Sequence, residues 1–188
     1  MKDFNFILNR IKAADKPLII ALDGRAASGK TTLANLISAE FNACVIRMDD
    51  FFLPSEKRTQ ERFSQPGGNV DYERFAAEVL PNLKSHVAFQ YGVFDCSEMK
   101  INGFKSVLPA EVIVVEGAYS LHPYFGDYAD IKVFVTVEKE EQLKRIAKRN
   151  GQALLKRFKN EWIPMEEMYF KACLIPDKCD YTITLNNI

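Results

Sequence analysis

Residues 24–31 read Gly-Arg-Ala-Ala-Ser-Gly-Lys-Thr, which is the pattern GxxxxGK[ST]. The apolar run 18–22 precedes it, and residues 30–41 follow with apolar side chains on one helical face. Glycines let such a loop wrap closely around phosphates, and N–H groups at a helix N-terminus hold the anionic oxygens. The stretch therefore predicts a phosphate-binding loop between a strand and a helix, and this decides the fold class.

Further short apolar runs alternate with helical patterns along the chain. Strands are predicted at 43–48, 112–115, 131–137 and 181–185, and a charged helix at 139–149. Continuous apolar strands separated by helices indicate a parallel sheet that is covered on both faces. We predict an α/β P-loop NTPase fold, with three α/β/α layers around a mainly parallel five-stranded sheet.

Residues 51–111 break this alternation. Asp71 is expected to cap a helix over 72–80, and Asn102-Gly103 indicates a hairpin turn. We interpret the segment as a substrate-binding insertion within a single domain that spans residues 1–188.

The composition limits the classes of partner. Lysine plus arginine equals aspartate plus glutamate, 25 against 25, so no excess positive charge favours binding to nucleic acid or to an anionic membrane. No apolar run reaches the length of a membrane span, and residues 1–16 resemble an amphipathic helix rather than a signal peptide. The four cysteines lack CxxC spacing, which favours thiols in a reducing cytoplasm over zinc ligands or disulfides.

Acidic residues follow two of the predicted strands. Asp49-Asp50 and Glu116 stand where the carboxyl ends of parallel strands gather functional groups. Glu116 is expected to hold Mg²⁺ together with the Thr31 hydroxyl, and Asp49 to act as the base that deprotonates an acceptor hydroxyl. Asp50 could exchange roles with Asp49, and either acid alone could instead be a helix cap or a solvated loop residue.

A basic cluster ends the helix predicted at 139–149. Arg145 and Arg149 are four residues apart and therefore share a face. One interpretation is a lid over residues 145–160, whose arginines close over ATP and stabilise the transferring phosphoryl group. The alternative is that acids at the start of this helix and bases at its end simply complement the helix dipole.

Five segments together resemble the uridine kinase-like family of P-loop kinases, which also includes nicotinamide riboside kinase, phosphoribulokinase and bacterial pantothenate kinase. They are GRAASGKTTLA at 24–34, MDDFFLP at 48–54, VIVVEGAYSL at 112–121, KRIAKRN at 144–150 and CDYTITLNN at 179–187. The resemblance implies that Asp49 is the base, that Lys30 and Thr31 serve ATP and Mg²⁺, that Glu116 faces the metal or acceptor, and that Arg145 and Arg149 belong to the lid. It also implies a hairpin that carries substrate contacts at Phe94-Asp95.

Two positions depart from the uridine kinase pattern. Asn150 stands where those enzymes usually carry an acid, and their characteristic segment after the base does not resemble residues 65–70.

The candidate site residues fall into four groups. Nucleotide phosphates are assigned to Gly24, Arg25, Ala26, Ala27, Ser28, Gly29, Lys30, Thr31 and Thr32. Catalysis is assigned to Asp49, Lys30, Arg145 and Arg149, and Mg²⁺ to Thr31 and Glu116. Substrate contacts are assigned to Asp49, Phe52, Tyr91, Phe94, Asp95 and Glu116.

The leading hypothesis is an ATP-dependent phosphotransferase whose acceptor is the hydroxyl of a small, nucleoside-like molecule. A nucleoside monophosphate kinase is the alternative within enzymes. A P-loop GTPase switch lacks support, because NKxD is absent and DxxG does not follow the third strand. A catalytically silent ATP-binding regulator is a further alternative, a homo-oligomer is left open, and residues 161–170 have no assigned role.

Overall fold

The computed structural model describes residues 2–85 and 87–185, so Asn186 and Asn187 of the family-like closing segment lie outside it. The strands are β1 Leu18–Gly24, β2 Cys44–Arg47, β3 Phe89–Asp95, β4 Lys100–Val107, β5 Val112–Glu116, β6 Ile131–Thr136 and β7 Tyr181–Thr184. Five of them form one sheet in the order β2-β5-β1-β6-β7, and every neighbouring pair is parallel. The predicted α/β fold is confirmed.

The helices that the structure describes are α1 Lys2–Ala13, α2 Lys30–Phe41, α3 Gln60–Phe63, α4 Tyr72–Glu78, α5 Lys139–Arg157, α6 Ile163–Ala172 and α7 Ile175–Lys178. They cover both faces of the sheet. Ile20 and Leu22 of β1 pack with Leu33 on one side, and Ile19 packs with Phe170 on the other. All residues of β1 are buried, as its continuous apolar run predicts. Within the described ranges, no helix is both long and apolar enough to cross a membrane.

Some element boundaries differ from the prediction. The strand predicted at 43–48 ends at Arg47, because Met48–Phe51 turn into a short 3₁₀ helix. The helix predicted at 139–149 continues to Arg157 through a kink at Gly151, where φ is 78° and ψ is 170°. The predicted cap at Asp71 is confirmed by a hydrogen bond from the Arg74 N–H, although that helix ends at Glu78.

The hairpin in the insertion is confirmed, but Asn102-Gly103 does not form its turn. The turn spans residues 96–99 and follows Asp95, whose carboxylate accepts hydrogen bonds from the N–H groups of Ser97 and Glu98. Asn102-Gly103 lies inside β4, where the register with β3 shifts. Gly103 has φ 101°, so the pair's tolerance of positive φ is used in a β-bulge instead.

His122 fixes the insertion to the segment that follows β5. Its Nε2 is 3.2 Å from the Pro66 carbonyl oxygen, and its Nδ1 accepts the Tyr124 N–H at 3.2 Å. Its ring stacks on Tyr72 with the ring centroids 4.4 Å apart. Since Nδ1 accepts, the remaining proton is on Nε2, and the contacts suit a neutral imidazole.

We expect acid to destabilise the fold through His122. Burial lowers the pKa of His122 to about 4, while the unfolded side chain titrates near its ordinary 6.5. The stabilisation is present above pH 6.5 and is lost as the pH falls towards 4, since the unfolded state then binds more protons. The loss is at most about 3 kcal/mol.

Urea denaturation of the wild type and of His122→Phe at pH 7 and pH 4.5 measures this effect. The substitution keeps a ring beside Tyr72 and removes the titrating group. The wild type should lose more stability than the variant on acidification, and equal losses would contradict the assignment.

Candidate active site

The phosphate loop leaves the end of β1 and enters α2. It is tied to β6 by a hydrogen bond from the Arg25 N–H to the Val135 carbonyl oxygen at 3.1 Å. The Lys30 ammonium is buried and donates to the carbonyl oxygens of Gly24 at 2.8 Å and Arg25 at 2.7 Å. Lys30 is therefore folded across the loop and held by weakly basic acceptors, from which stronger anionic acceptors could draw it.

The loop fits the phosphates of a nucleotide. The Ser28 hydroxyl is buried and has no hydrogen-bond partner among the residues that the structure describes. A buried hydroxyl in this position needs a partner. Together with Lys30 and the N-terminus of α2, it provides donors for anionic oxygens.

Two oxygen-bearing side chains that could bind a metal, Thr31 and Glu116, lie together at the end of the loop. The Thr31 hydroxyl donates to Glu116 Oε1 at 3.1 Å, and Arg47 Nε lies 3.7 Å from the same oxygen. Burial raises the pKa of Glu116, the positive charge of Lys30 opposes the shift, and the charge of Asp49 adds to it. Hydroxyl and carboxylate oxygens are ligands that Mg²⁺ prefers, so this pair fits the metal.

Asp49 and Asp50 differ in their surroundings. The Asp50 carboxylate accepts the Tyr91 hydroxyl at 2.8 Å, and the Lys105 ammonium lies 3.8 Å away. The Asp49 side chain is exposed and, among the described residues, makes no hydrogen bond or ion pair. Its charge nevertheless reaches Glu116, whose pKa it raises. The two acids that sequence spacing left equivalent are thus distinguished by their contacts.

The residues that were predicted to contact substrate differ in burial and in the hydrogen bonds that they make. Tyr91 is only 1% exposed and its hydroxyl donates to Asp50, so a substrate contact at Tyr91 stays a prediction. Asp95 is also engaged elsewhere, since hydrogen bonds from the hairpin turn hold its carboxylate and lower its pKa to about 2. Phe94 is buried and Phe52 is half-buried.

The two arginines that were predicted to act from a lid, Arg145 and Arg149, differ in their contacts and exposure. Arg145 donates to the carbonyl oxygens of Ala27 at 3.3 Å and Leu185 at 2.8 Å, so it braces the phosphate loop from α5. Arg149 is exposed, and its Nε donates to the Asn150 side chain at 2.8 Å. The structure does not bring Arg149 to the phosphate loop.

Sequence reasoning missed Asp23, which precedes the loop. This fully buried carboxylate accepts the N–H groups of Gly24 at 2.7 Å, Tyr119 at 3.1 Å and Leu121 at 2.9 Å. It also accepts the Tyr169 hydroxyl at 2.8 Å. Burial raises its pKa, and these hydrogen bonds oppose the shift. The available signal was an acid at the end of an otherwise apolar strand.

Sequence reasoning also missed two glutamates of α6, which lie in the stretch 161–170. Glu166 Oε2 accepts the Ala26 N–H at 2.9 Å, and the Arg25 guanidinium lies 2.8 Å from Glu167. The signal was helical spacing, which puts Glu166 on the same face as the aromatic residue three positions later.

The chain was compared with protein-family models, with curated proteins and with solved structures. No family model matches the chain. A uridine kinase from Ligilactobacillus salivarius is 25% identical over 174 residues, and the alignment covers 84% of this chain and 81% of the relative. The resemblance to uridine kinases therefore extends, at modest identity, over most of the chain.

Two solved structures share the fold. A candidate uridine kinase from Bacillus stearothermophilus has a TM-score of 0.74 at 20% identity, and a proposed fructose transport system kinase from Silicibacter has 0.72 at 24%. Each alignment covers 97% of both chains. At these identities, the likeness bears on the fold alone.

We expect the two arginines of α5 to respond differently to truncation. Arg145→Ala removes donors to two carbonyl groups, which costs about 1–2 kcal/mol and lowers Tm by several degrees. Arg149→Ala should leave Tm within about 1 °C, because the side chain is exposed. If Arg149 acts from a closed lid, the same change lowers kcat.

Thermal denaturation and ADP-release kinetics of both variants measure these effects, with the exposed neighbour Lys148→Ala as the control. Unchanged kcat in Arg149→Ala would contradict the lid assignment and favour the helix-dipole alternative.

Proposed function

We propose that the chain is an ATP-dependent phosphotransferase that moves the γ-phosphoryl group to a hydroxyl of a nucleoside-like small molecule. One observation carries the proposal: the exposed carboxylate of Asp49 lies at the same sheet edge as Glu116 and the phosphate loop. The similarity to uridine kinases over most of the chain supports it.

The phosphate loop binds the nucleotide in this proposal. Lys30 exchanges the carbonyl oxygens of Gly24 and Arg25 for the β- and γ-phosphates, where its charge stabilises the transferring group. The Ser28 hydroxyl and the first N–H groups of α2 donate to the remaining phosphate oxygens. Mg²⁺, held by Thr31 and Glu116, would supply neutralising charge.

Asp49 acts on the acceptor. Its carboxylate takes the proton of the acceptor hydroxyl while that oxygen forms a bond to the γ-phosphorus. The bond from the γ-phosphorus to the bridging oxygen breaks, and its electron pair leaves with ADP. Asp49 suits this role better than Asp50, whose oxygen is occupied by the Tyr91 hydroxyl.

The pairing of two arginines in the insertion favours an acceptor without a phosphate. A monophosphate would need free arginines to offset repulsion from the γ-phosphate. Arg62 is instead paired through both guanidinium branches with Glu73, at 2.6 Å and 2.8 Å. Arg74 donates to the carbonyl oxygens of Asp50 and Gly92, both at 2.6 Å. These two arginines hold the insertion together and are not available as a clamp.

A GTPase switch and a catalytically silent regulator are both less well supported than a kinase. The Ligilactobacillus salivarius protein, which aligns with most of the chain, is a uridine kinase. The site also keeps an exposed acid beyond the end of β2, which a protein that only binds nucleotide does not need.

The oxidation state of the cysteines indicates the kind of cellular compartment. All four cysteines of the chain are free. Free thiols are usual in reducing compartments, so we propose that the protein works in the cytoplasm.

We expect Asp49→Asn to lower kcat by roughly 10²–10⁴, because the amide keeps the shape but cannot accept the proton. Binding of MgATP should remain. ADP release under saturating MgATP and acceptor measures kcat, and nucleotide binding is measured separately.

Asp50→Asn is the matched control, since it makes the same chemical change at the neighbouring acid. We expect a smaller loss of activity, accompanied by a loss of stability from the weakened contact with Tyr91. A severe kinetic defect in Asp50→Asn beside a mild one in Asp49→Asn would reverse the assignment.

We expect nucleosides to be phosphorylated with a higher kcat/KM than their monophosphates. The carboxylates of Asp49 and Asp50 repel an anionic acceptor and leave a neutral alcohol unaffected. The measurement compares each nucleoside with its monophosphate at matched concentrations. A clear preference for monophosphates would exclude this function and favour a nucleoside monophosphate kinase.

A further inference from the structure

The carboxylate of Glu166 lies beside the phosphate loop, yet the proposed transfer reaction gives it no part. The residue is 7% exposed, and its Oε2 accepts the Ala26 N–H at 2.9 Å. Burial raises the pKa of Glu166 to about 7, and the charge of Lys30 opposes the shift. Burying a carboxyl group is costly unless its oxygens accept hydrogen bonds. The position of Glu166 beside the loop therefore calls for a functional explanation.

The same stretch of loop is also held by α5. The Gln142 amide donates to the Ala26 carbonyl oxygen at 3.1 Å, and Arg145 donates to the Ala27 carbonyl oxygen at 3.3 Å. Both polar backbone groups of Ala26 are thus bound by side chains, one from α6 and one from α5. The predicted lid, residues 145–160, begins in α5 and ends just before α6.

We propose that Glu166 is a positioning residue for phosphoryl transfer, which sets the shape of the phosphate loop through the Ala26 N–H and ties that shape to the helix after the lid. This inference rests on the proposed function. Glu166 touches no reacting atom; it acts through the backbone of Ala26. Because Gln142 of α5 also binds Ala26, a movement of either helix changes the conformation of the loop.

The charge of Glu166 adds a dependence on pH. The charged and titratable groups that act on Glu166 are Lys30, Asp23, Glu167 and Tyr119, and Arg25 is paired with the neighbouring Glu167. Ionised Glu166 attracts Lys30 away from the nucleotide and repels the phosphates, whereas the protonated acid does neither and still offers an oxygen to Ala26. Affinity for MgATP should therefore fall as the pH rises through about 7.

Two substitutions separate the hydrogen bond from the charge. Glu166→Leu has a similar volume and leaves the Ala26 N–H without a partner, while Glu166→Gln keeps an acceptor oxygen and cannot ionise. Glu140→Leu makes the same change at an exposed position of α5 and serves as the control. The probe is a non-hydrolysable MgATP analogue, titrated at pH 6 and pH 8, together with kcat, both KM values and Tm.

At pH 6, where Glu166 is mostly protonated and only the hydrogen bond differs, we expect Glu166→Leu to bind the analogue about tenfold more weakly than the wild type, with the acceptor KM within about twofold. Glu166→Gln should match the wild type at pH 6 and keep that affinity at pH 8, where the wild type weakens roughly threefold. Glu140→Leu should follow the wild type throughout. A purely structural role would change Tm without this division between the two KM values and without the difference in pH profile.

Three results would overturn the inference. Binding by Glu166→Leu equal to that of the wild type would exclude the hydrogen bond as a determinant and leave the proposed kinase function standing. Equal defects in the leucine and glutamine variants would show that the hydrogen bond is not what Glu166 contributes. Failure of the wild type itself to bind the analogue would overturn the proposed function and, with it, this inference.

Discussion

The buried carboxylate of Asp23 joins the parts of the chain from which the candidate site is built. Its oxygens accept hydrogen bonds from the start of the phosphate loop, from the segment after β5 and from the Tyr169 hydroxyl of α6. A buried carboxyl group in this position is strongly destabilising unless donors such as these satisfy its oxygens. The loop, the end of β5 and α6 must therefore assemble together.

Around this centre, the acids of the site differ in how strongly they are bound. Asp23 has four donors, Asp50 has a tyrosine and a nearby lysine, and Glu116 has a threonine hydroxyl. Asp49 is exposed and, within the described residues, has no hydrogen bond or ion pair. In the proposed reaction, the acid with the fewest contacts, Asp49, is the one that receives the proton. The difference in bonding between the acids, rather than any difference in residue type, supports this proposal.

Much of the fold could be predicted because it depends on local signals. Continuous apolar runs indicate the parallel strands, and the spacing of glycines, Lys30 and Thr31 indicates the phosphate loop. The choice between Asp49 and Asp50 could not be predicted, since it depends on Tyr91, which reaches Asp50 from a hairpin far along the chain. The turn predicted at Asn102-Gly103 was wrong because turns and bulges both use positive φ, and only the strand register tells them apart. The helical spacing of Glu166 indicated its buried face, but its contact could not be predicted because the partner is the backbone N–H of Ala26, which no residue type marks.

The kink at Gly151 determines which residue types the predicted lid segment accepts at that position. A side chain added there would meet nothing within 4 Å, so packing places no limit on this position. The limit comes from the torsion angles alone, since φ 78° with ψ 170° is strained for every residue except glycine. The backbone conformation at Gly151, rather than a lack of space, is thus what favours glycine there. A substitution at this position changes the conformational preference of the kink without a clash with neighbouring side chains.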